Sequence, residues 1–285
     1  MTKDRVTACI DGSAIVGVVC DTAVWASKTL AAPLMFLHVL DTPYAVVRED
    51  LSGAIGLGSR EYLLDELMLL DERRNKLALE QGARLLENAK RKAERDGAIG
   101  VATEQRHGHL LDAVSAVEDK TRLFVIGRQG EGHGVQQSSI GSQVETMVRA
   151  MHTPLLVATG KFSQPRNYML AYDGSKTADD ALRRIAKSPL LANIPGHVVM
   201  VGDNNEKNRQ QLEQGCAVLL DNGHHIEAHL IQGNVSDSLT AFREDLCIEL
   251  MVMGAYGHSR IREFIVGSNT TKMLAMSTVP VLILR

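Results

Sequence analysis

The chain has 285 residues, of which 45% are hydrophobic and 23% charged, and its formal net charge at pH 7 is -3. This composition is ordinary for a soluble protein, and the charge provides no strong positive field for nucleic acid. The sequence contains neither an apolar run near the ~20 residues of a membrane-spanning helix nor the apolar region of a signal peptide at its start. We therefore expect a cytoplasmic protein without a membrane or nucleic-acid partner. The length predicts two domains of about 140 residues each.

The first half of the chain alternates predicted strands and helices. Residues 6–10 form an apolar run that ends in a turn at Asp11, residues 14–31 carry apolar side chains at helical spacing, and residues 34–40 form a second apolar run. A strand, a helix and a strand in this order predict parallel pairing. The later elements are predicted as strands at 99–106, 123–126 and 155–157 and helices at 109–118 and 141–150.

Residues 41–60 have no counterpart in the second half and are predicted to be an insertion. A long helical pattern follows at 61–96, with Gly82 inside it as a residue that could interrupt the helix. We interpret the Leu-rich start of this helix, around Leu67 and Met68, as core or inter-domain packing. A lid or a partner surface is the alternative.

The second half repeats this order after a polar, proline-containing linker at 159–167. Its elements are predicted as strands at 168–173, 197–201, 225–231, 247–253 and 281–284 and helices at 178–191, 206–222, 235–244 and 270–276. The predicted fold class is α/β, with two doubly wound domains at 1–158 and 168–285, each a five-stranded parallel sheet flanked by helices. Ligands of such sheets bind at the carboxyl ends of the strands, near the reversal of strand order. Because each half ends in a short apolar strand, the two final strands are predicted to pair.

Four landmarks recur in the same order in both halves and indicate a duplication. They are an Asp-Gly-Ser turn after the first strand, a Gly-x3-Asp pair, a glycine-rich loop and a proline before the last strand. In the first half they begin at Asp11, Gly108, Gly127 and Pro154, and in the second half they begin at Asp173, Gly233, Gly254 and Pro280.

The glycine-rich loop that begins at Gly254 is interpreted as a phosphate site. Gly254, Gly257 and Gly267 let the backbone approach a ligand with no Cβ in the way, and Ser268 can cap the following helix. The free N–H groups at the start of that helix would face the anion. A tight loop without a ligand is the alternative. The sequence lacks a Walker lysine and a G-x-S-x-G elbow, so we assign no catalytic residue and expect slow hydrolysis at most.

Two further groups of residues are interpreted as structural. His225, Glu227 and His229 alternate along one predicted strand and could in principle hold a metal, but apolar residues alternate with them as in a half-exposed edge strand. We therefore assign no metal site there. Cys9 and Cys247 lie on or beside predicted buried strands and are interpreted as small core residues without chemistry.

The sequence resembles the universal stress protein family, in its tandem form, over nearly all of the chain. The second half matches the pattern Gly-x2-Gly-x9-Gly-[Ser/Thr] without a gap, whereas the first half has one inserted residue. The resemblance implies a fold of the adenine-nucleotide α-hydrolase-like type that holds ATP, with Mg²⁺, between the first strand and the glycine loop. The residues implied at the nucleotide in the second half are Asp173, Val201, Gly254, Gly257, Gly267, Ser268 and Asn269. Their first-half counterparts, a possible second site, are Asp11, Val39, Gly127, Gly130, Gly141, Ser142 and Gln143.

The second half is predicted to be the competent site because its loop has the unbroken glycine spacing and, in addition, is the more cationic one. The charged residues considered are Arg260, Arg262 and Glu263 in the second loop, against Arg128 and Glu131 in the first. In addition, Ser142 and Glu145 can form a capping box that would occupy the N–H groups of the first-half helix.

The leading functional hypothesis is a stress-response protein that binds ATP as a signal or stabilising ligand and acts through contacts with unidentified protein partners. The two halves would form an intramolecular pseudo-dimer, and a homodimer is a further option. A nucleotide-free interaction scaffold with degenerate sites and a slow ATPase are the alternatives.

Overall fold

The computed structural model describes residues 4–40, 57–129, 141–254 and 268–284. The strands are β1 Arg5–Cys9, β2 Leu34–Leu40, β3 Ala102–His107, β4 Thr121–Gly127, β5 Leu155–Ala158, β6 Tyr168–Ala171, β7 Gly196–Val201, β8 Ile226–Ile231, β9 Met251–Gly254 and β10 Val281–Leu284. The helices are α1 Val16–Thr29, α2 Leu57–Arg95, α3 Leu110–Ser115, α4 Ser142–Ala150, α5 Lys176–Ala186, α6 Glu206–Leu220, α7 Val235–Asp245 and α8 Ser268–Met276, and a short 3₁₀ helix spans Glu118–Lys120. Within the described residues, each half contributes five strands and four α-helices, as predicted.

All ten strands form one sheet in the order β3-β2-β1-β4-β5-β10-β9-β6-β7-β8. Every neighbouring pair is parallel except β5 and β10, which meet antiparallel at the centre with Leu156 opposite Leu282. The predicted pairing of the two final strands is therefore confirmed. It joins two five-stranded parallel sheets through their short apolar edges, so neither edge is left as an exposed pairing surface.

The core consists of two apolar layers, one on each face of the sheet. Residues of α1, α2, α5 and α6 pack on one face, and residues of α3, α4, α7 and α8 pack on the other. Strand residues alternate between the layers, with Val125 in the first and its neighbours Phe124 and Ile126 in the second. Burial on both faces explains why these strands read as continuous apolar runs. The predicted doubly wound α/β fold class is confirmed.

Helix α2 differs from its prediction in two ways. It continues through Gly82 without a break, and the missing Cβ serves packing, because a Cβ there would lie 2.6 Å from Cδ2 of His38. The interpretation of its Leu-rich start as core or inter-domain packing is wrong within the single chain, because Leu67 is 46% exposed and Met68 is 70% exposed. Residues 41–56 of the predicted insertion lie outside the described residues. In the part of the chain that the structure describes, no helix, α2 included, has the length and apolar character to span a membrane.

The two cysteines interpreted as core residues have different environments. Cys9 is buried in β1, where burial raises the pKa of its thiol to about 12. Cys247 is exposed, because β9 begins only at Met251 and the chain turns at Cys247 with φ of 47°. The prediction for Cys247 is therefore wrong.

Candidate functional site

The strand order reverses at one point in each half, and the predicted site residues lie there. In the first half β1 lies between β2 and β4, and in the second half β6 lies between β7 and β9. Asp11 follows β1, Val39 lies near the end of β2 and Gly127 ends β4, so these three share one edge of the sheet. The carboxyl ends of strands at such a reversal form the usual ligand crevice of doubly wound sheets.

A cavity of about 690 Å³ opens at this edge of the first half. Six of the seven predicted first-half residues line it, and the seventh, Gly130, lies outside the described residues. The six are Asp11, Val39, Gly127, Gly141, Ser142 and Gln143. The structure thus brings together residues that are up to 132 positions apart in the sequence.

His38 is a wall residue of this cavity that the sequence analysis did not single out. Its side chain is buried, and Nδ1 lies 2.9 Å from the carbonyl oxygen of Ile10. Because a carbonyl oxygen only accepts, Nδ1 carries the proton, which leaves Nε2 as an acceptor. A single polar residue inside the apolar run of β2 was the signal that could have found it. Gly82 and Leu85 of α2 close the same wall.

The start of α4 forms the opposite side of the cavity. The N-cap is Gly141, which has no side chain that could form a capping hydrogen bond. Glu145 pairs instead with Arg149 one turn later, so the predicted capping box of Ser142 and Glu145 is wrong. The backbone N–H of Gly141 donates to the carbonyl of Arg128 at 3.0 Å, which holds the two ends of the glycine loop together.

The Asp-Gly-Ser turns share one hydrogen bond in both halves. Oδ1 of Asp11 accepts from the backbone N–H of Ser13 at 3.0 Å, and Oδ1 of Asp173 accepts from Ser175 at 2.9 Å. Such turns fix the carboxylate at the end of its strand. Gly174 has φ of 67°, a conformation that favours glycine.

In the second half, the described site residues stand at equivalent strand ends. Asp173 is exposed, whereas Val201 at the end of β7 and Gly254 at the end of β9 are half-buried. Nε2 of Gln211 donates to the carbonyl of Gly174 at 2.7 Å, so this side chain covers the turn. Gly257 and Gly267 lie outside the described residues, as do the side chains of Ser268 and Asn269. Helix α8 begins at Ser268, two residues earlier than predicted.

Arg128 of the first-half glycine loop is engaged with the other half. Its Nη1 donates to the carbonyl oxygens of Ala275 at 3.1 Å and Ser277 at 2.6 Å, at the end of α8. Burial holds the pKa of this guanidinium below its ordinary value. The cation of the first loop therefore serves the contact between the halves.

Together these features define a duplicated α/β protein with a ligand-sized cavity where the strand order reverses. The model of the universal stress protein family matches residues 3–159 and 200–285. The chain belongs to the universal stress protein family.

Several relatives share this architecture. Universal stress protein Slr1230 of Synechocystis sp. is 32% identical over 285 residues, which are 99% of this chain and 99% of that protein. A universal stress protein from Archaeoglobus fulgidus DSM 4304 has a similar crystal structure, with a TM-score of 0.73 and 18% identity over 100% of this chain and 99% of that one. A functionally unknown protein from Pseudomonas aeruginosa PAO1 gives a TM-score of 0.62 and 13% identity over 99% of this chain and 92% of that one. These two structures support the fold across both halves.

Proposed function

We propose that the chain binds an adenine nucleotide, namely ATP with Mg²⁺, in the cytoplasm. It acts in the stress response as a binding or signalling module that responds to this nucleotide. The observation that carries this proposal is the cavity at the first-half strand ends, which six of the seven residues implied at a nucleotide line together. The same reversal of strand order recurs at β7, β6 and β9 of the second half. The cavity volume of about 690 Å³ lies inside the usual range for small-molecule sites, about 300–1,000 Å³.

The residues around the cavity suit the parts of a nucleotide. A carboxylate such as Asp11 accepts hydrogen bonds from ribose hydroxyls, as acidic residues do in related dinucleotide sites. The N-cap of α4 is a glycine, so no side chain of the cap residue occupies the backbone N–H groups at the start of this helix, and such groups bind phosphate. Mg²⁺ would be held mainly by the phosphate oxygens and water, which is its usual mode beside nucleotides.

We assign the working site to the C-terminal half. Its loop has the unbroken Gly-x2-Gly-x9-Gly-Ser spacing and carries Arg260 and Arg262. The first-half loop has Arg128 instead, and that guanidinium is hydrogen-bonded to the carbonyl oxygens at the end of α8. A phosphate in the first half would therefore lack this cation, while the second loop keeps two in its sequence.

The first-half cavity is a second candidate site, favoured by a specific contrast between the two turns. Asp11 and Gly12 line open volume. The equivalent Gly174 is covered by Gln211, which would have to move before a ligand could reach the turn from that side.

An interaction scaffold is the alternative function, and the exposed apolar side chains of α2 favour it. Leu69 and Leu70 are 55% and 59% exposed beside Met68. An apolar stretch of this kind is typical of contacts with a protein partner or a second copy of the chain.

Calorimetric titration of ATP and Mg²⁺ into the full chain tests the proposal. Val39→Trp and Val201→Trp form a matched pair, because each places a large ring at the same strand end of one half. We expect Val201→Trp to abolish binding and Val39→Trp to retain it, with circular dichroism melts as the check on folding. The first-half site would be the working one if the two variants gave the opposite result. An unmodified chain that takes up no nucleotide at about 1 mM ATP would leave the scaffold as the function.

A further inference from the structure

Three side chains on strands β7 and β8 direct ligand atoms at one point, away from the candidate nucleotide site. Nδ1 of His197 lies 3.1 Å from Nε2 of His229, and Oε2 of Glu227 lies 3.6 Å from each of these nitrogens. Strand β8 is the edge strand that the sequence predicted. Alternation along the strand groups His225 with Glu227 and His229, but the third residue of the cluster is His197 from the neighbouring strand.

The spacing of these atoms matches the ligand shell of a small tetrahedral cation. Zn²⁺ binds histidine nitrogens at 2.0–2.1 Å, so two ligand atoms of a tetrahedral site are about 3.3–3.4 Å apart. The observed separations of 3.1 and 3.6 Å bracket that distance. A point about 2 Å from all three atoms therefore exists, and an ion there would need only small shifts of the side chains.

The surroundings hold the imidazole rings in place and favour the neutral form of His229. The ring of Phe242 on α7 meets both histidines edge-on, with centroid distances of 4.8 Å to His229 and 5.9 Å to His197. Burial and the neighbouring His197 lower the pKa of His229, and Glu227 opposes this shift. A metal ligand must be a neutral imidazole, so this environment is compatible with coordination.

The fold does not need this cluster. At the same register of the first half, β2 and β3 carry apolar or unlike residues, namely Met35, Ala102 and Glu104. The duplicated sheet therefore forms without two histidines and a carboxylate at these positions. The side chain of Glu227 is 74% accessible, so solvent also reaches the cluster.

We propose that His197, Glu227 and His229 bind a divalent transition-metal ion, with Zn²⁺ as the best fit. Two imidazoles and one carboxylate form a ligand set that zinc uses in proteins, with water in the fourth position. The site is separate from the Mg²⁺ that would accompany ATP, because His197 precedes Val201 by four residues along β7, a distance of about 13 Å.

Zinc titration of tag-free, chelator-treated protein tests this site, with Co²⁺ absorption as a second measurement that reports four-coordination. We expect one equivalent of Zn²⁺ to bind to the unmodified chain. Glu227→Gln and His229→Asn should each weaken binding by at least about 10-fold, because removing a ligand costs no less than removing a residue behind one. Glu227→Gln is the variant least able to disturb folding, since that side chain is mostly exposed.

Two matched controls separate this site from other ligands on the same half. His225→Ala removes an exposed histidine near the cluster, and Cys247→Ser removes the exposed thiol. Both should bind zinc like the unmodified chain. Absence of stoichiometric binding, unchanged affinity in Glu227→Gln and His229→Asn, or loss of binding in Cys247→Ser would each overturn the proposal.

Discussion

Nη1 of Arg128 lies 2.6 Å from the carbonyl oxygen of Ser277, so the first-half glycine loop is bonded to the C-terminal end of α8. A cation at this end of a helix is favourable because the last carbonyls are unpaired and carry the negative end of the dipole. The opposite end of α8 begins at Ser268, directly after the second-half glycine loop. One nine-residue helix therefore connects the loops of the two halves.

We expect Arg128→Gln to lower the free energy of unfolding by about 1.5–3 kcal/mol, the usual range for hydrogen bonds to a charged group. Urea denaturation monitored by circular dichroism measures this change. Arg183→Gln is the control, because Arg183 pairs with Asp180 on an exposed helix face and such pairs contribute about 1 kcal/mol at most. Equal urea midpoints for the two variants would mean that the hydrogen bonds of Arg128 between the halves contribute little to stability.

Gly82→Ala should destabilise the protein although alanine is normally the better helix residue. The new Cβ would lie 2.6 Å from side-chain atoms of both His38 and Gln105. Gly17→Ala is the matched control in α1, where no atom lies within 4 Å of the added Cβ, and it should be neutral or stabilising by up to about 1 kcal/mol. Thermal melts measure the unfolding midpoints of both variants. A midpoint for Gly82→Ala above that of the unmodified chain would show that His38 moves aside without a cost in stability.

The sequence predicted the fold well because the duplication repeats the same local signals. Apolar runs, helical spacing and the Asp-Gly-Ser turns at Asp11 and Asp173 depend on neighbouring residues, and the structure confirms the elements they predicted. Pairing of the final strands also followed from their short apolar edges.

Features that depend on contacts between distant elements were missed. His197 joins Glu227 and His229 only because β7 and β8 are neighbours in a register that no local pattern reveals. The capping box was a local prediction that also failed, because the N-cap is Gly141 instead of Ser142 and Glu145 pairs with Arg149 on the same helix. Six residues of the first-half cavity were found because the family resemblance assigned them, whereas His38 required the structure.

ATP turnover should be slow if nucleotide binds as proposed. The sequence contains no Walker lysine, and we assign no residue to orient an attacking water. We therefore expect steady-state phosphate release below the common enzyme range of about 1 to 10³ per second. Release within that range, lost on Gly257→Val, would show that the chain is an enzyme rather than a binding module.

The last prediction concerns which half binds the nucleotide. Gly267→Val adds a branched side chain where the second-half backbone should approach the phosphate, and Gly141→Val makes the same change in the first half. We expect Gly267→Val to abolish ATP binding and Gly141→Val to change it little, because the second loop has the family spacing and more cations. Gly141 nevertheless lines an open cavity and is the N-cap of α4, so its variant is a demanding control. Calorimetric titration of both variants measures the difference. Retained affinity in Gly267→Val together with loss in Gly141→Val would move the working site to the first half, where Asp11 and Val39 would then contact the nucleotide.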